Sequence, residues 1–139
     1  MADTLPTSLQ LEIVTPDRAV VHETVEEITT PGKGGCLGIL PGHAPLLSEL
    51  EIGELTYKKS GQTHYLTVGG GFVEVLPDRV IVLTPIAERQ EEVDRERAEE
   101  ARQRAEDRLG RPDDPNVDFL RARASLSRAI TRIQIFDRK

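Results

Sequence analysis

The amino-acid sequence predicts an α+β chain: an N-terminal β-sandwich over residues 1–87, followed by a C-terminal antiparallel two-helix hairpin over residues 88–139. Three observations lead there. Up to residue 87, apolar residues alternate in short runs broken by Gly, Pro and Asp, the period-2 pattern of strands with one buried face. From Gln90 to Leu109 there is no Pro or Gly, and Ala, Glu and Arg dominate, as in a surface helix. The charge distribution changes at the same place. Residues 1–87 hold 11 acids and 5 bases, whereas residues 88–139 hold 13 of each at much higher density. A compact sheet domain tolerates few charges and a surface helix many.

Taken in order, Leu9, Leu11 and Ile13 alternate with polar neighbours and mark a first strand. Val25 and Ile28 fall in a second, which ends at Thr30-Pro31-Gly32. Gly53–Lys59 and Thr63–Val68 flank Ser60-Gly61-Gln62, which gives a hairpin. Gly69-Gly70-Gly71 then interrupts the pattern before Phe72, Val73 and Val75, and Pro77-Asp78 turns the chain into Val80–Thr84. Short strands with turn signals at this frequency suit a sandwich or flattened barrel.

Past Thr84-Pro85 the first helix carries Ala98, Ala101, Ala105 and Leu109 on one face. Gly110 stands as its C′ residue, and Pro112 stops it. Asp114 is expected to cap the second helix with Pro115 at its first position. There Phe119, Ala122, Leu126, Ala129, Ile133 and Phe136 form a 3-4-3-4-3 series, a coiled-coil-like seam. So short a connection makes packed helices antiparallel. Residues 88–110 carry 9 acids and 6 bases, and residues 114–139 carry 3 and 6, so the nets oppose. Exposed ion pairs add only about 0.2–1 kcal/mol each, and an Ala-rich seam buries little area at roughly 25 cal/mol per Å². The hairpin is therefore expected to be marginal alone and able to leave its docking site.

The formal net charge of -6 argues against nucleic acid as a partner. Arg121, Arg123, Arg128 and Arg132 lack the interleaved aromatics of an RNA-binding surface. Cys36, a single cysteine, supports no internal disulfide and reads as a small apolar residue. The segment MADTLPTSLQ has neither a basic region nor an apolar core, so a signal peptide is not expected, and no apolar run approaches the roughly 20 residues of a bilayer span. His22, His43 and His64 lack close metal-ligand spacing, so no metal site is expected. His43 has no evident nucleophile with a fixed partner and suits a structural or interface role.

The loop Gly35-Cys36-Leu37-Gly38-Ile39-Leu40-Pro41-Gly42-His43-Ala44-Pro45-Leu46 resembles the G-x-x-G-x-L-P-G-H-x-P-L loop of ATP synthase epsilon subunits. In the order of that family, Tyr65–Val75 is similar to its V-x-G-G-F-x-E-V strand pair, Val80–Leu83 to the next strand, and Thr84–Arg89 to the sheet-to-helix junction. The resemblance extends over nearly the whole chain. It implies a non-catalytic subunit of the proton-translocating rotary ATP synthase, with no required cofactor. The sandwich would bind the gamma subunit and the ring of c subunits in the rotating central stalk. The hairpin would alternate between a folded form and an extended one that reaches the alpha and beta subunits and suppresses ATP hydrolysis. Membrane association would come only through the complex, on the cytoplasmic face of a bacterial plasma membrane.

Val93-Asp94-Arg95-Glu96-Arg97-Ala98 resembles the [I/L]-D-x-x-R-A motif of ATP-binding bacterial epsilon subunits, with Val at the first position. The resemblance implies ATP as a regulatory ligand held by Glu88, Asp94, Arg97, Arg104, Arg128 and Arg132. Arg97 and Arg104 share one helix face, as do Arg128 and Arg132, so folding the hairpin would gather four guanidinium groups for phosphate oxygens to bridge. The alternative is a solvated face with ordinary intrahelical Glu–Arg pairs. No G-x-x-x-x-G-K-[ST] loop is present, so ATP hydrolysis by this chain is not expected. Two other functions stand beside this one: a ligand-binding sandwich whose tail self-associates through the Phe119–Phe136 seam, and a small hydrolase built on His43 or Cys36.

Overall fold

A computed structural model describes residues 5–139; residues 1–4, part of the segment tested above for a signal peptide, lie outside the described residues. The strands are β1 (Leu9–Val14), β2 (Ala19–Val25), β3 (Glu27–Gly32), β4 (Gly35–Ile39), β5 (Leu46–Lys59), β6 (Gln62–Leu76), β7 (Arg79–Leu83) and β8 (Ala87–Arg89). A 3-10 turn, Gln90–Glu92, leads to helices α1 (Arg95–Leu109) and α2 (Phe119–Phe136). Strand order is β2-β1-β7-β6-β5-β3-β4, with β8 added beside β6. The path folds over itself into a sandwich, bringing β2 against β5 and β8. The inward residues Leu9, Leu11, Ile13, Leu55, Leu66, Val73, Val75 and Val80 are fully excluded from solvent between the layers. The alternation read in β1 is therefore the core pattern of the fold.

Two expectations for the strands change. The strand containing Val25 and Ile28 is two strands: Val25 closes β2 against Leu9, and Ile28 pairs with Ile39 and Tyr57 in β3. The second change concerns Gly69-Gly70-Gly71, which bends β6 without ending it. Leu50 pairs with Gly71 and Ile52 with Gly69 across the bend, so β5 and β6 run as one long hairpin through both layers. Gly71 has φ +101, and a Cβ there would lie 2.0 Å from the Leu83 carbonyl oxygen. Only glycine serves at that point. The loop at the far end is Ser60-Gly61, with φ 51 and 76, a two-residue hairpin turn with both residues left-handed.

The helices begin later than the sequence pattern suggests. Asp94 caps α1 by accepting from Arg97 N at 3.1 Å, which leaves Gln90–Glu92 as a separate turn. Asp118, not Asp114, caps α2 by accepting from Arg121 N at 3.1 Å. Asp114 instead accepts from Asn116 N at 2.9 Å and holds the connecting turn. Gly110 has φ -76 and is not left-handed. The two helices pack antiparallel, and among the described residues α2 is the helix that packs broadly on β5 and β6.

The 3-4 seam is also only partly the buried one. Ala122 and Ala129 are buried, matched by Ala98 and Ala105 on α1, while Phe119 and Phe136 are exposed. Thr131 and Ile135, outside the series, are buried; Thr131 lines the groove against the sheet, and Ile135 follows one turn later on the same side of the helix. A helix sandwiched between a second helix and a sheet needs two apolar stripes, so a single-seam reading misplaces its ends.

Candidate functional site

The site lies where β8, the 3-10 turn and both helices meet. Strand β8 pairs with β6 in the register Leu66–Arg89, Thr67–Glu88, Val68–Ala87, which puts Glu88 at the sheet margin under α2. Arg89 is tied down on the other side. Its Nη1 donates to the Tyr57 hydroxyl at 3.1 Å and its Nη2 to the Val20 carbonyl at 3.2 Å. Burial and a hydrogen bond with Glu23 raise the Tyr57 pKa, and the Arg89 guanidinium partly opposes them.

Glu92 closes the turn. Its Oε1 accepts from Arg89 N at 3.2 Å and its Oε2 from Arg18 Nη2 at 2.6 Å. Burial disfavours the charged carboxyl, but these hydrogen bonds and the two arginine charges outweigh it and hold its pKa below the ordinary carboxylate value.

Beyond the turn a cleft of about 410 Å³ opens, lined by Glu88, Glu92, Asp94, Arg97, Ala98, Ala101, Arg104 and Arg132. Its size falls within the roughly 300–1,000 Å³ of small-molecule sites. Arg97, Ala101 and Arg104 form one stripe of α1, and the two alanines keep the floor free of bulk. Arg132 enters from α2 and donates through Nε to Glu88 Oε1 at 3.1 Å. Among the described residues, the ion pairs within α1 run from Arg95 and Arg102, and Arg97 and Arg104 take part in none. Both are exposed. Two unpaired guanidinium groups facing a third across a concave surface suit an anion with several oxygens.

Five of the six candidate residues, Glu88, Asp94, Arg97, Arg104 and Arg132, thus line one cleft. Arg128 does not. It lines a narrow groove between α2 and the sheet with Ile52, Thr67 and Thr131, and its Nη2 donates to Ser125 Oγ at 3.1 Å. The docked hairpin brings three guanidinium groups together, not four. Asp94 serves the α1 cap through its carboxylate, so its place at the rim is set by the helix start. Glu92 is a cleft residue that the sequence pattern passes over. Its signal is weak because the residue three positions earlier is Arg89, not the Ser or Thr of a capping box.

A family model described as the ATP synthase delta/epsilon chain β-sandwich domain matches residues 8–90, and one for its long α-helix domain matches residues 91–137. The chain belongs to the ATP synthase delta/epsilon chain family. It is 48% identical over 128 residues to the ATP synthase epsilon chain of Nitratidesulfovibrio vulgaris, covering 92% of this chain and 95% of that one. The ATP synthase epsilon chain of Koribacter versatilis is 56% identical over 109 residues, 78% of this chain and 74% of that one. That of Bacillus licheniformis is 44% identical over 128 residues, 92% and 97% of the two chains. A chain in a mitochondrial ATP synthase OSCP/F1/c-ring structure from Euglena gracilis shares the fold at TM-score 0.82 and 24% identity, with 93% of this chain and 81% of that one covered. Members of this family are subunits of ATP synthase and not its catalytic ones. The small-hydrolase alternative falls with that assignment.

Proposed function

We propose that this chain works in the central stalk of a proton-translocating rotary ATP synthase and restrains its ATP hydrolysis through the helical hairpin. The support for the stalk role is the family match, which runs through sandwich and hairpin alike. The sandwich binds the gamma subunit and the c ring. Leu40, Leu47, Phe72 and Leu83 leave it with exposed apolar side chains of the kind a protein partner covers. Among the described residues no helix is long and apolar enough to cross a bilayer, and the complex supplies the link to the cytoplasmic face of the membrane.

The hairpin described above is the docked form. In the released form it extends toward the alpha and beta subunits and suppresses hydrolysis. ATP is the ligand of the cleft, with its phosphates on Arg97, Arg104 and Arg132. Because β8, α1 and α2 all line that cleft, a bound ligand favours the docked form by its differential affinity. The observation behind the switch is how α2 is held. Polar contacts at its C-terminal end, among them Arg138 Nη2 to Glu54 Oε2 at 2.9 Å, accompany few buried side chains, of which Ala122, Ala129 and Thr131 are small and Ile135 alone is large and apolar.

The test joins positions 54 and 138 with a reducible thiol cross-linker, in the full chain carrying Cys36→Ser, Glu54→Cys and Arg138→Cys, assembled with the other ATP synthase subunits. Hydrolysis is expected to be unrestrained while the hairpin is locked down and restrained again on reduction. Equal rates before and after reduction would overturn the regulatory role.

A further inference from the structure

We propose that residues 87–92 form a fixed latch plate, which stays with the sheet when the hairpin leaves and captures the C-terminal end of α2 through the side-chain amide of Gln90. The inference deepens the docked-and-released reading of the hairpin and rests on it.

The plate is built from three attachments. The β8 ladder joins it to β6 from Ala87 to Arg89. The Arg89 guanidinium holds the Tyr57 hydroxyl and the Val20 carbonyl, reaching β5 and β2 at once. Glu92 then receives Arg18 from the β1–β2 loop. All of these partners belong to the sandwich, and none to the hairpin. The first residue built into the hairpin's own backbone is Asp94, which caps α1. The pivot therefore lies at Val93–Asp94, six residues beyond the composition break at residue 87.

Gln90 faces the other way. Its Nε2 donates to the Ile135 carbonyl at 2.7 Å and to the Arg138 carbonyl at 2.8 Å, using both amide hydrogens on the end of α2. A helix leaves its last carbonyls without intrahelical partners. Here Asp137 N reaches the Ile133 carbonyl at 3.1 Å, and Arg138 N reaches that of Ile135 only at 3.2 Å. Gln90 thus adds, from outside the helix, a side-chain donor to the Ile135 carbonyl that backbone amides also reach, and another to the Arg138 carbonyl beyond it. It also places the positive end of an amide dipole against the negative end of the helix dipole. Glu88, two residues earlier on the same plate, takes Arg132. The plate therefore grips α2 by a backbone end and by a side chain, and both grips exist only in the docked form.

Gln90→Glu is nearly isosteric, but it replaces the donor with a carboxylate facing two carbonyls and the negative helix end. The reporter is Thr131→Cys in a Cys36→Ser background of the full chain. Thr131 is only 7% exposed, at the contact between α2 and the sheet, so its thiol is labelled in proportion to the undocked fraction. Gln90→Glu is expected to raise the labelling rate about tenfold or more. Gln103→Glu, the same change on the exposed face of α1, leaves it unaltered. In the same Gln90→Glu protein, hydrogen exchange at the β6–β8 ladder amides is expected to stay slow. An unchanged labelling rate would overturn the latch, and fast exchange along β8 would overturn the fixed plate. Neither readout involves ATP synthase activity or nucleotide, so the latch and the regulatory role fail separately.

Discussion

Arg132 of α2 donates through Nε to Glu88 Oε1 of β8 at 3.1 Å, and this pair joins the second helix to the sheet at the wall of the cleft. Both side chains are 27% exposed, so water screens the pair only in part. The contact forms only while α2 lies against the sheet. A ligand that engages Arg132 there is thereby linked to the docked hairpin.

From this geometry, Arg104→Ala and Arg132→Ala are each expected to weaken ATP binding roughly tenfold or more, the loss of one charge-assisted hydrogen bond. Arg128→Ala is expected to have the smaller effect, because that guanidinium lies in the sheet-side groove beside Ser125. Calorimetric titration of the full chain with ATP reads all three. An equal loss at Arg128 would mean that its side chain turns into the cleft when ligand enters. No heat with the unaltered chain at millimolar ATP would remove the nucleotide site and leave the mechanical role intact.

The sandwich is expected to fold without the helices, provided its last strand is kept. A fragment ending at Glu92 retains β8, the Arg89 bonds to Tyr57 and Val20, and the Arg18–Glu92 pair. A fragment ending at Ala87 loses all of them and should melt at a lower temperature with the same β-type circular dichroism. An unfolded fragment in both cases would show that the two parts are not separable. Loss of assembly by the longer fragment with the gamma subunit would place the binding surface outside the sandwich.

Acid should loosen the junction in a defined direction. The Glu92 pKa is held below its ordinary 4.5, so its contribution to stability is full above that value and disappears as pH falls through the lower folded value. Arg18→Gln removes the side-chain hydrogen bond and the charge of Arg18, and lets the Glu92 pKa rise. The acid transition of the junction, followed by exchange at the β8 amides, is then expected to move to higher pH. A transition that does not move would show that Glu92 does not control it.

Two substitutions should separate the parts by their effects. Ile135→Ala removes a fully buried side chain from α2, and a loss of about 2–5 kcal/mol is expected in docking, not in the sandwich melt. Gly71→Ala forces a Cβ onto the Leu83 carbonyl at positive φ and is expected to cost the sandwich roughly 2 kcal/mol or more. Thermal melts of the full chain, read separately at sheet and helix signals, check both. The assignment of Ile135 to docking fails if its substitution lowers both transitions equally.

The sequence by itself determined the division into strands and helices, the fold class and the family. Each of these rests on local pattern: the period-2 alternation of Leu9, Leu11 and Ile13, the unbroken Ala/Glu/Arg run from Gln90, and the ordered Gly35–Leu46 and Tyr65–Val75 segments. Through the resemblance of Val93–Ala98 to the [I/L]-D-x-x-R-A motif it also singled out Glu88, Asp94, Arg97, Arg104, Arg128 and Arg132, and helix periodicity placed Arg97 with Arg104 and Arg128 with Arg132 on common faces. Only the tertiary structure decided which neighbours those faces meet. Helix α2 carries one stripe toward α1 and another, through Thr131 and Ile135, toward the sheet, and no single heptad-like series expresses both. Arg128 and Arg132 share a side of α2 and both line the sheet-side groove, yet Arg132 also reaches the cleft, where Glu88 of β8 meets it, and Arg128 does not. The bonds from Gln90 to the end of α2 and from Arg89 to Tyr57 span 45 and 32 residues. Contacts at such separation leave no periodic trace, since each depends on one side chain meeting a surface that exists only after the sheet has closed.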